Sequence, residues 1–574
     1  MLHMLTILFA FFLTAIVSAQ ALPAANPTAP PLPQTETQPI SPSIPATPKP
    51  QPERVDKVNR IAPAQAGVAL PMDTITVTLP IERADLIDPK AKSGRLILFF
   101  RAVGSRTEGE PLDGPFFEDP QPIGSVEVDS IKPGMPITLA ESSVWWPDGS
   151  ELFEGAYEVQ AVFDVNNDER GHLAPGNLVS KVTTVNLTRD AAEVIALELT
   201  DKIPSEVLPE LKNVEWIDFP SPILSKFAGR VVTHRAGVIF PAEYHNIKAK
   251  RRIWPTIYVI PGFGGRWTDA ADLARKINLA GVALLWPQAV YVILDPESPL
   301  GHHGFVNSAL NGPRGLALVS ELIPYLQERF RLIQDPSARV LTGHSSGAWT
   351  SVWLALSYPE TFGAAFASSP DPLDFHTFQM NDLYRDENLF VGEDGIERPS
   401  FREPIGPGHE FVPMLVREEV QMERAISPNG TSGEQWDSWA AMFSPVAELE
   451  HKPRRLCNPM TGVIDPVTVE AWSRFDIARR ISKDWDGWGK LFVERVRVIV
   501  GERDSFYLER AAIRLRDAIA AHAREHAAAG KEFPTGPGFI EIVPGATHDS
   551  VFPIAQFKFN GEIREYLRRA GHHE

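Results

Sequence analysis

The sequence predicts two folded regions in series. These are an all-β, sandwich-like region at 71–204 and, at 205–574, an α/β domain with a doubly wound, mostly parallel sheet. Three observations carry this. Residues 73–203 hold about seven short strand-like stretches and no long amphipathic helix. Beyond residue 214, apolar strand-like runs alternate with helical ones, as a sheet covered on both faces requires. A serine framed by two glycines, Gly343-His344-Ser345-Ser346-Gly347, falls between one such strand and a helix. The chain has 574 residues, 43% of them hydrophobic, which is ample for a large core. Its formal net charge of −18 argues against general affinity for nucleic acid. The single cysteine, Cys457, excludes an intrachain disulfide framework, a Cys-rich zinc site and an iron–sulfur cluster.

In chain order, an apolar run from Leu5 to Val17, closed by Ser18-Ala19, reads as a secretory signal at 1–19 cut before Gln20. Export to a periplasm or the extracellular space is expected, with no stable membrane insertion after cleavage. The n-region lacks Lys and Arg, so an uncleaved anchor is the alternative, although the run is at the short limit for crossing hydrocarbon. Residues 20–70 are expected to be a Pro-rich disordered linker. Eleven of the 52 prolines fall within 21–54, and their fixed φ and missing amide donors make an extended tether.

In the β-rich region Ile75, Val77 and Leu79 alternate with Thr74, Thr76 and Thr78, the pattern of a strand with one buried face. Further strands are expected at 95–103, 125–131, 136–140, 156–165, 180–187 and 194–199. Trp145 and Trp146, if exposed, could stack on sugar rings, which makes carbohydrate a candidate partner; core packing is the plainer alternative. Asp164, Asn166, Asn167 and Asp168 carry oxygens suited to calcium, but without EF-hand spacing a solvated turn is the simpler reading.

The α/β domain begins with a buried strand at 253–260 that breaks at Pro261-Gly262-Phe263-Gly264-Gly265. A second short strand is expected at 282–286. A helix at about 313–330 places Leu316, Val319, Ile323, Leu326 and Phe330 on one face, with a kink at Pro324. Residues 339–342 then lead into the Gly-x-Ser-x-Gly motif and a helix at 349–356. In this setting the turn lifts the Ser345 hydroxyl off the sheet and points it at a helix N-terminus, where amides stabilise negative charge.

A serine nucleophile needs a base, and the base needs an orienting carboxylate. A strand at 495–500 ends in Gly501-Glu502-Arg503-Asp504, and one at 539–543 ends in Pro544-Gly545-Ala546-Thr547-His548-Asp549. Both sit beyond carboxyl ends of strands, where open α/β sheets bind ligands. The assignments are Ser345 as nucleophile, Asp504 as acid and His548 as base. Glu502 is the second choice for the acid, and Asp549 is too close in the chain to orient His548. The oxyanion donors are expected to be the amide of Ser346 and that of Phe263 or Gly264.

With these residues in view, the chain resembles the putative-esterase (esterase D-like) family of α/β-hydrolases, related to feruloyl and acetyl-xylan esterases, enterochelin esterases and mycolyltransferases. The resemblance runs from about residue 214 to the C-terminus. It rests on Ser225-Lys226-Phe227, 261–265, 302–308, Asn311-Gly312-Pro313, Glu321-Leu322-Ile323-Pro324 and 343–347. Ser369-Pro370-Asp371-Pro372 also looks like the family's exported bacterial members. It implies an α/β-hydrolase fold behind a β domain and a serine carboxylic ester hydrolase without a cofactor. Ser345, Asp504 and His548 carry over as the triad. His303, Asn311 and Asp371 are substrate-binding candidates, and a zinc role for His302 and His303 lacks a completing carboxylate–His spacing.

Residues 371–489 are long for a connection between sheet strands and read as a lid-like insertion. Phe375, Phe378, Trp436, Trp439, Phe443, Trp472, Trp485 and Trp488 could face a phenolic or sugar ring or build the insertion's own core. The expected substrate is a small or polymer-linked ester. A serine peptidase, an acyltransferase and a non-catalytic binding protein on the same fold are the rivals.

Overall fold

The computed structural model describes residues 75–572, apart from 89–92, 140–142, 148–153, 188–194, 278–284, 407–408, 448–451 and 534–537. The expected signal and Pro-rich linker lie outside the described residues. Period-2 alternation builds the first region. Its strands are β1 (Ile75–Thr78), β2 (Gly94–Ala102), β3 (Ile123–Val128), β4 (Ile137–Thr138), β5 (Val144–Trp146), β6 (Gly155–Asp164), β7 (Leu178–Ser180), β8 (Thr183–Leu187) and β9 (Ile195–Lys202). They run in the order β4-β1-β9-β7-β6-β2-β3-β5, with β8 on β6.

Ile75 and Val77 of β1, Leu197 and Leu199 of β9, Leu96 and Leu98 of β2 and Val159 and Phe163 of β6 share one core. Trp145 belongs to that core and is 7% exposed, so it offers no face to a sugar. Other β2 and β6 side chains, Ile97, Phe99 and Val162, pack instead on Met414, Met422, Ala425 and Ile426 from beyond residue 400. Trp146 joins them there. Both tryptophans are therefore packing residues.

The second region contains β10 (Val214–Pro220), β11 (Thr233–Ile239), β12 (Thr256–Ile260) and β13 (Val290–Leu294). Two small antiparallel pairs follow, β14 (Glu297–Ser298) with β15 (Gly301–His302) and β16 (Asn307–Ser308) with β17 (Gly312–Pro313). Then come β18 (Arg339–His344), β19 (Ala364–Ser368), the hairpin of β20 (Pro399–Gly406) and β21 (His409–Leu415), β22 (Val496–Gly501) and β23 (Phe539–Val543). The main sheet is ordered β10-β11-β13-β12-β18-β19-β22-β23, parallel from β13 to β23 and antiparallel at the β10–β11 edge.

One sheet face packs on the helices Ile323–Arg329 and Ser346–Ser357 and on the insertion, through Tyr258, Leu341, Leu326 and Val352. The other packs on Ala270–Ile277 and His548–Arg569, through Ile257, Val340, Ala274 and Phe559. This is the mostly parallel, doubly covered α/β sheet that the alternating pattern predicts.

Two local expectations need correction. Of the strand expected at 282–286, residues 282–284 lie outside the described residues and Leu285 and Trp286 are not in a strand; the described strand that enters the sheet here is β13. Pro287, lacking an amide donor, separates the first apolar run from the longer VYVIL run that enters the sheet. The expected kink near Pro324 takes the form of a π turn at Leu318–Leu322, after which Pro324 occupies the first turn of the next helical segment.

Candidate active site

β18 ends at the centre of the parallel sheet, and the chain turns sharply there into the helix Ser346–Ser357. Ser345 occupies the turn at φ 57°, ψ −127°, a left-handed conformation that a side chain rarely adopts. The two framing glycines are required by contact. A Cβ at 343 would stand 2.4 Å from the Gly347 carbonyl carbon, and one at 347 would stand 2.0 Å from the Ile260 carbonyl oxygen. The turn is fixed by the Ser345 amide donating to the Ser368 carbonyl at 2.9 Å. The amides of Phe263, Gly264 and Ser346 make no hydrogen bond with other described residues. Gly262 brings the first of these turns against the serine: a Cβ at 262 would lie 3.3 Å from that of Ser345.

Asp504 follows β22 and His548 opens the helix after β23, so both arrive at the same sheet edge as Ser345. His548 Nδ1 lies 2.8 Å from Asp504 Oδ2, with His548 6% exposed and Asp504 fully buried. The carboxylate holds the Nδ1 proton and leaves Nε2 as the free basic nitrogen. Burial pulls the imidazole down, but the charge and hydrogen bond of Asp504 outweigh it, and His548 titrates above the usual histidine value. Burial likewise opposes ionisation of Asp504, yet His548 and the Phe506 amide, 3.0 Å from Oδ1, hold it below the usual carboxylate range.

Glu502, the alternative acid, is exposed and accepts instead from the Gly545 amide at 2.8 Å. Asp549 is exposed.

The substrate-binding candidates sit in buried surroundings. Asp371 Oδ2 accepts from Ser346 Oγ at 2.8 Å and Trp439 Nε1 at 2.9 Å, which ties the residue after the serine to the insertion. Asn311 accepts from Ser298 Oγ at 2.8 Å, and its buried amide nitrogen has no hydrogen-bond partner. His303 is 1% exposed, and its Nδ1 accepts from the Phe305 amide. Its neighbour His302 holds the loop after β12. Gly304 N–H donates to His302 Nδ1 at 3.2 Å, so the proton is on Nε2, which donates to the Pro261 carbonyl at 3.1 Å. Burial lowers His302 to about 4, so this neutral form persists at neutral pH. The pair is thus engaged with the backbone. Among the described residues no group of three or more His, Cys, Asp and Glu is placed to hold a metal ion.

Spacing did not reveal several supporting residues. His344, the variable residue before the serine, packs its ring 4.4 Å from that of His548 and is lowered to about 3 by burial first and the neighbouring imidazole second. Phe506 packs edge-on to His548 at 5.0 Å. Arg402, from β20, donates to the Asp504 carbonyl at 2.9 Å and to Glu509 at 2.9 Å, clamping the loop after β22. The insertion's aromatics Phe375, Phe378, Trp436, Trp439, Phe443 and Trp472 are buried against one another, which is the self-packing alternative.

Residues 314–456, which include the serine turn, match the family model described as "Putative esterase". The matched segment is similar to that family, and the mostly parallel, doubly covered sheet around it has the α/β-hydrolase architecture. No curated protein matches the sequence. Among solved structures, the chain is similar to a ferulic acid esterase, at 11% identity over 61% of this chain and 98% of that one, with a TM-score of 0.35. It is also similar to an S-formylglutathione hydrolase from Agrobacterium tumefaciens, at 13% identity over 62% and 95%, TM-score 0.32. A ferulic acid esterase from Anaeromyces mucronatus, in complex with ferulic acid, matches at 14% identity over 62% and 93%, TM-score 0.29. No helix among the described residues is long and apolar enough to cross a membrane.

The glycine contacts give a direct expectation. Gly347→Ala must push the serine turn away from β12, at a cost of about 1–3 kcal/mol. A thermal melt should show that loss.

Proposed function

We propose that the protein hydrolyses carboxylic esters through an acyl-enzyme on Ser345, with His548 as general base and Asp504 as its orienting acid. The observation that carries this reading is the buried His548–Asp504 pair, 2.8 Å apart, at the sheet edge where Ser345 stands in its left-handed turn. His548 Nε2 takes the hydroxyl proton as Oγ attacks the ester carbonyl, and Asp504 stabilises the resulting imidazolium. The unpaired amides of Ser346 and of Phe263 or Gly264 receive the oxyanion, where one lost donor costs about 3–4 kcal/mol. His548 then protonates the leaving alcohol, and the same base activates water to release the acid.

The test is a pH–rate profile with p-nitrophenyl acetate. The base must be neutral, and His548 is raised above 6.5, so kcat/KM should rise through a single limb centred above that value and then level off. A limb centred well below 6.5, or no limb at all, counts against His548 as the base.

We further propose that the protein is exported, a reading supported by the apolar run at 5–17 and its small-residue end, with a mature chain beginning at Gln20. The resemblance also supports phenolic or carbohydrate-linked esters as substrates. A released-acid screen over acetyl, feruloyl, longer acyl and siderophore esters separates those classes.

A further inference from the structure

We propose that Arg170, carried by the β-rich region, is a positioning residue for the oxyanion loop Phe263-Gly264, so that the β-rich region completes the catalytic centre. This rests on the esterase reading above.

Arg170 follows β6 in a turn, and its side chain is 18% exposed. The guanidinium lies 4.0 Å over the Phe263 ring. Its Nε donates to the Gly433 carbonyl at 2.8 Å, its Nη2 lies 3.4 Å from Glu434 Oε2, and its Nη1 lies 3.7 Å from Glu297 Oε2. One planar group therefore ties down three segments that converge on the serine. The first is the oxyanion loop itself. The second is the β14–β15 hairpin, which contains Glu297 and also His302, the residue bonded to the Pro261 carbonyl just before that loop. The third is the start of the helix Gln435–Phe443, whose Trp439 bonds Asp371 and, through it, Ser346.

The two sources of oxyanion amides, 263–264 and 346, are thus linked through Arg170 and the insertion. Gly264 sits at φ +79°, and a Cβ there would lie 3.7 Å from Arg170 Nη1, so the guanidinium closes directly over the loop. A ring face against a cation, forked donors to a carbonyl and one carboxylate and an ion pair to a second carboxylate are geometry that an arginine supplies and a lysine does not. The β-rich region approaches the centre at a second point, where Phe117 packs 6.2 Å from Phe506, the ring against His548.

The experiment compares wild type, Ser345→Ala, Arg170→Lys and Phe263→Leu in the full chain. Arg170→Lys keeps the charge that faces Glu297 and Glu434. It should lower kcat on p-nitrophenyl acetate by about 10–100-fold with KM unchanged, because a loop displaced by about 1 Å loses that much. Affinity for a trifluoromethyl ketone, which forms an oxyanion on the serine, should weaken by the same factor, while the His548 acid limb stays where it is. Phe263→Leu should reproduce the loss, and the double variant should be no worse than either single one.

A folded Arg170→Lys protein with wild-type kcat, or additive losses in the double variant, overturns the proposal. If Arg170→Lys does not fold, wild-type kcat in Phe263→Leu overturns it instead. Turnover that survives in Ser345→Ala marks failure of the underlying esterase reading, and is seen in that pair alone.

Discussion

Ser345→Ala is expected to lower kcat on p-nitrophenyl esters by about 10⁶-fold while leaving the fold intact. The size follows from what is removed. In the proposed mechanism the residue supplies the attacking oxygen, which neither His548 nor the amides of 263–264 and 346 can replace. The fold is unaffected because the Ser345 backbone holds the turn, with its amide on the Ser368 carbonyl and its carbonyl accepting from the Ala348 and Trp349 amides. A second variant separates the chemistry from the backbone. Ser345 stands at φ 57°, where a Cβ is strained, so Ser345→Gly should be equally inactive yet more stable by about 1–2 kcal/mol. Thermal melts of the three proteins check this, and an alanine variant with wild-type turnover would remove Ser345 from the mechanism.

Asp504→Asn is the second large effect, a loss of about 10⁴-fold in kcat. The amide lacks the charge that stabilises the imidazolium, and its NH2 can donate to Nδ1, which favours the wrong tautomer. A pH profile distinguishes this from simple damage. Asp504 is what lifts His548 against the downward pull of burial, so the acid limb of the residual activity should move to lower pH. The amide substitution at Glu502, whose exposed side chain accepts from the Gly545 turn amide, should leave both the rate and the limb near wild type. An Asp504→Asn enzyme whose limb stays put would mean that another group sets the base.

The parts of this centre legible in the sequence were those tied to local pattern. Gly343 and Gly347 announce a turn because no larger residue fits, and Asp504 and His548 follow short apolar strands whose ends mark the sheet edge. The alternation of Ile75, Val77 and Leu79 likewise announces β1 and the core beneath it. Contacts between distant segments leave no such trace. His302 belongs to a run singled out by resemblance, yet only the folded chain brings its Nε2 to the Pro261 carbonyl. Arg170 lies in a polar turn that reads as solvated, and Arg402 lies in an insertion with no strong period; each gains a role only through packing. Trp145 was open between two readings, and the plainer one, core packing, holds. Nothing in the local pattern of the Trp145-Trp146 pair shows that one ring fills the core of the β-rich sheet.

Mass mapping of a fluorophosphonate adduct tests the central claim most directly. On the active full-length protein the account predicts one covalent adduct, on the peptide containing Ser345, formed in step with loss of ester turnover and absent from Ser345→Ala. Full loss of turnover with the adduct on a different residue, or persistent ester hydrolysis with Ser345 labelled to completion, would contradict it.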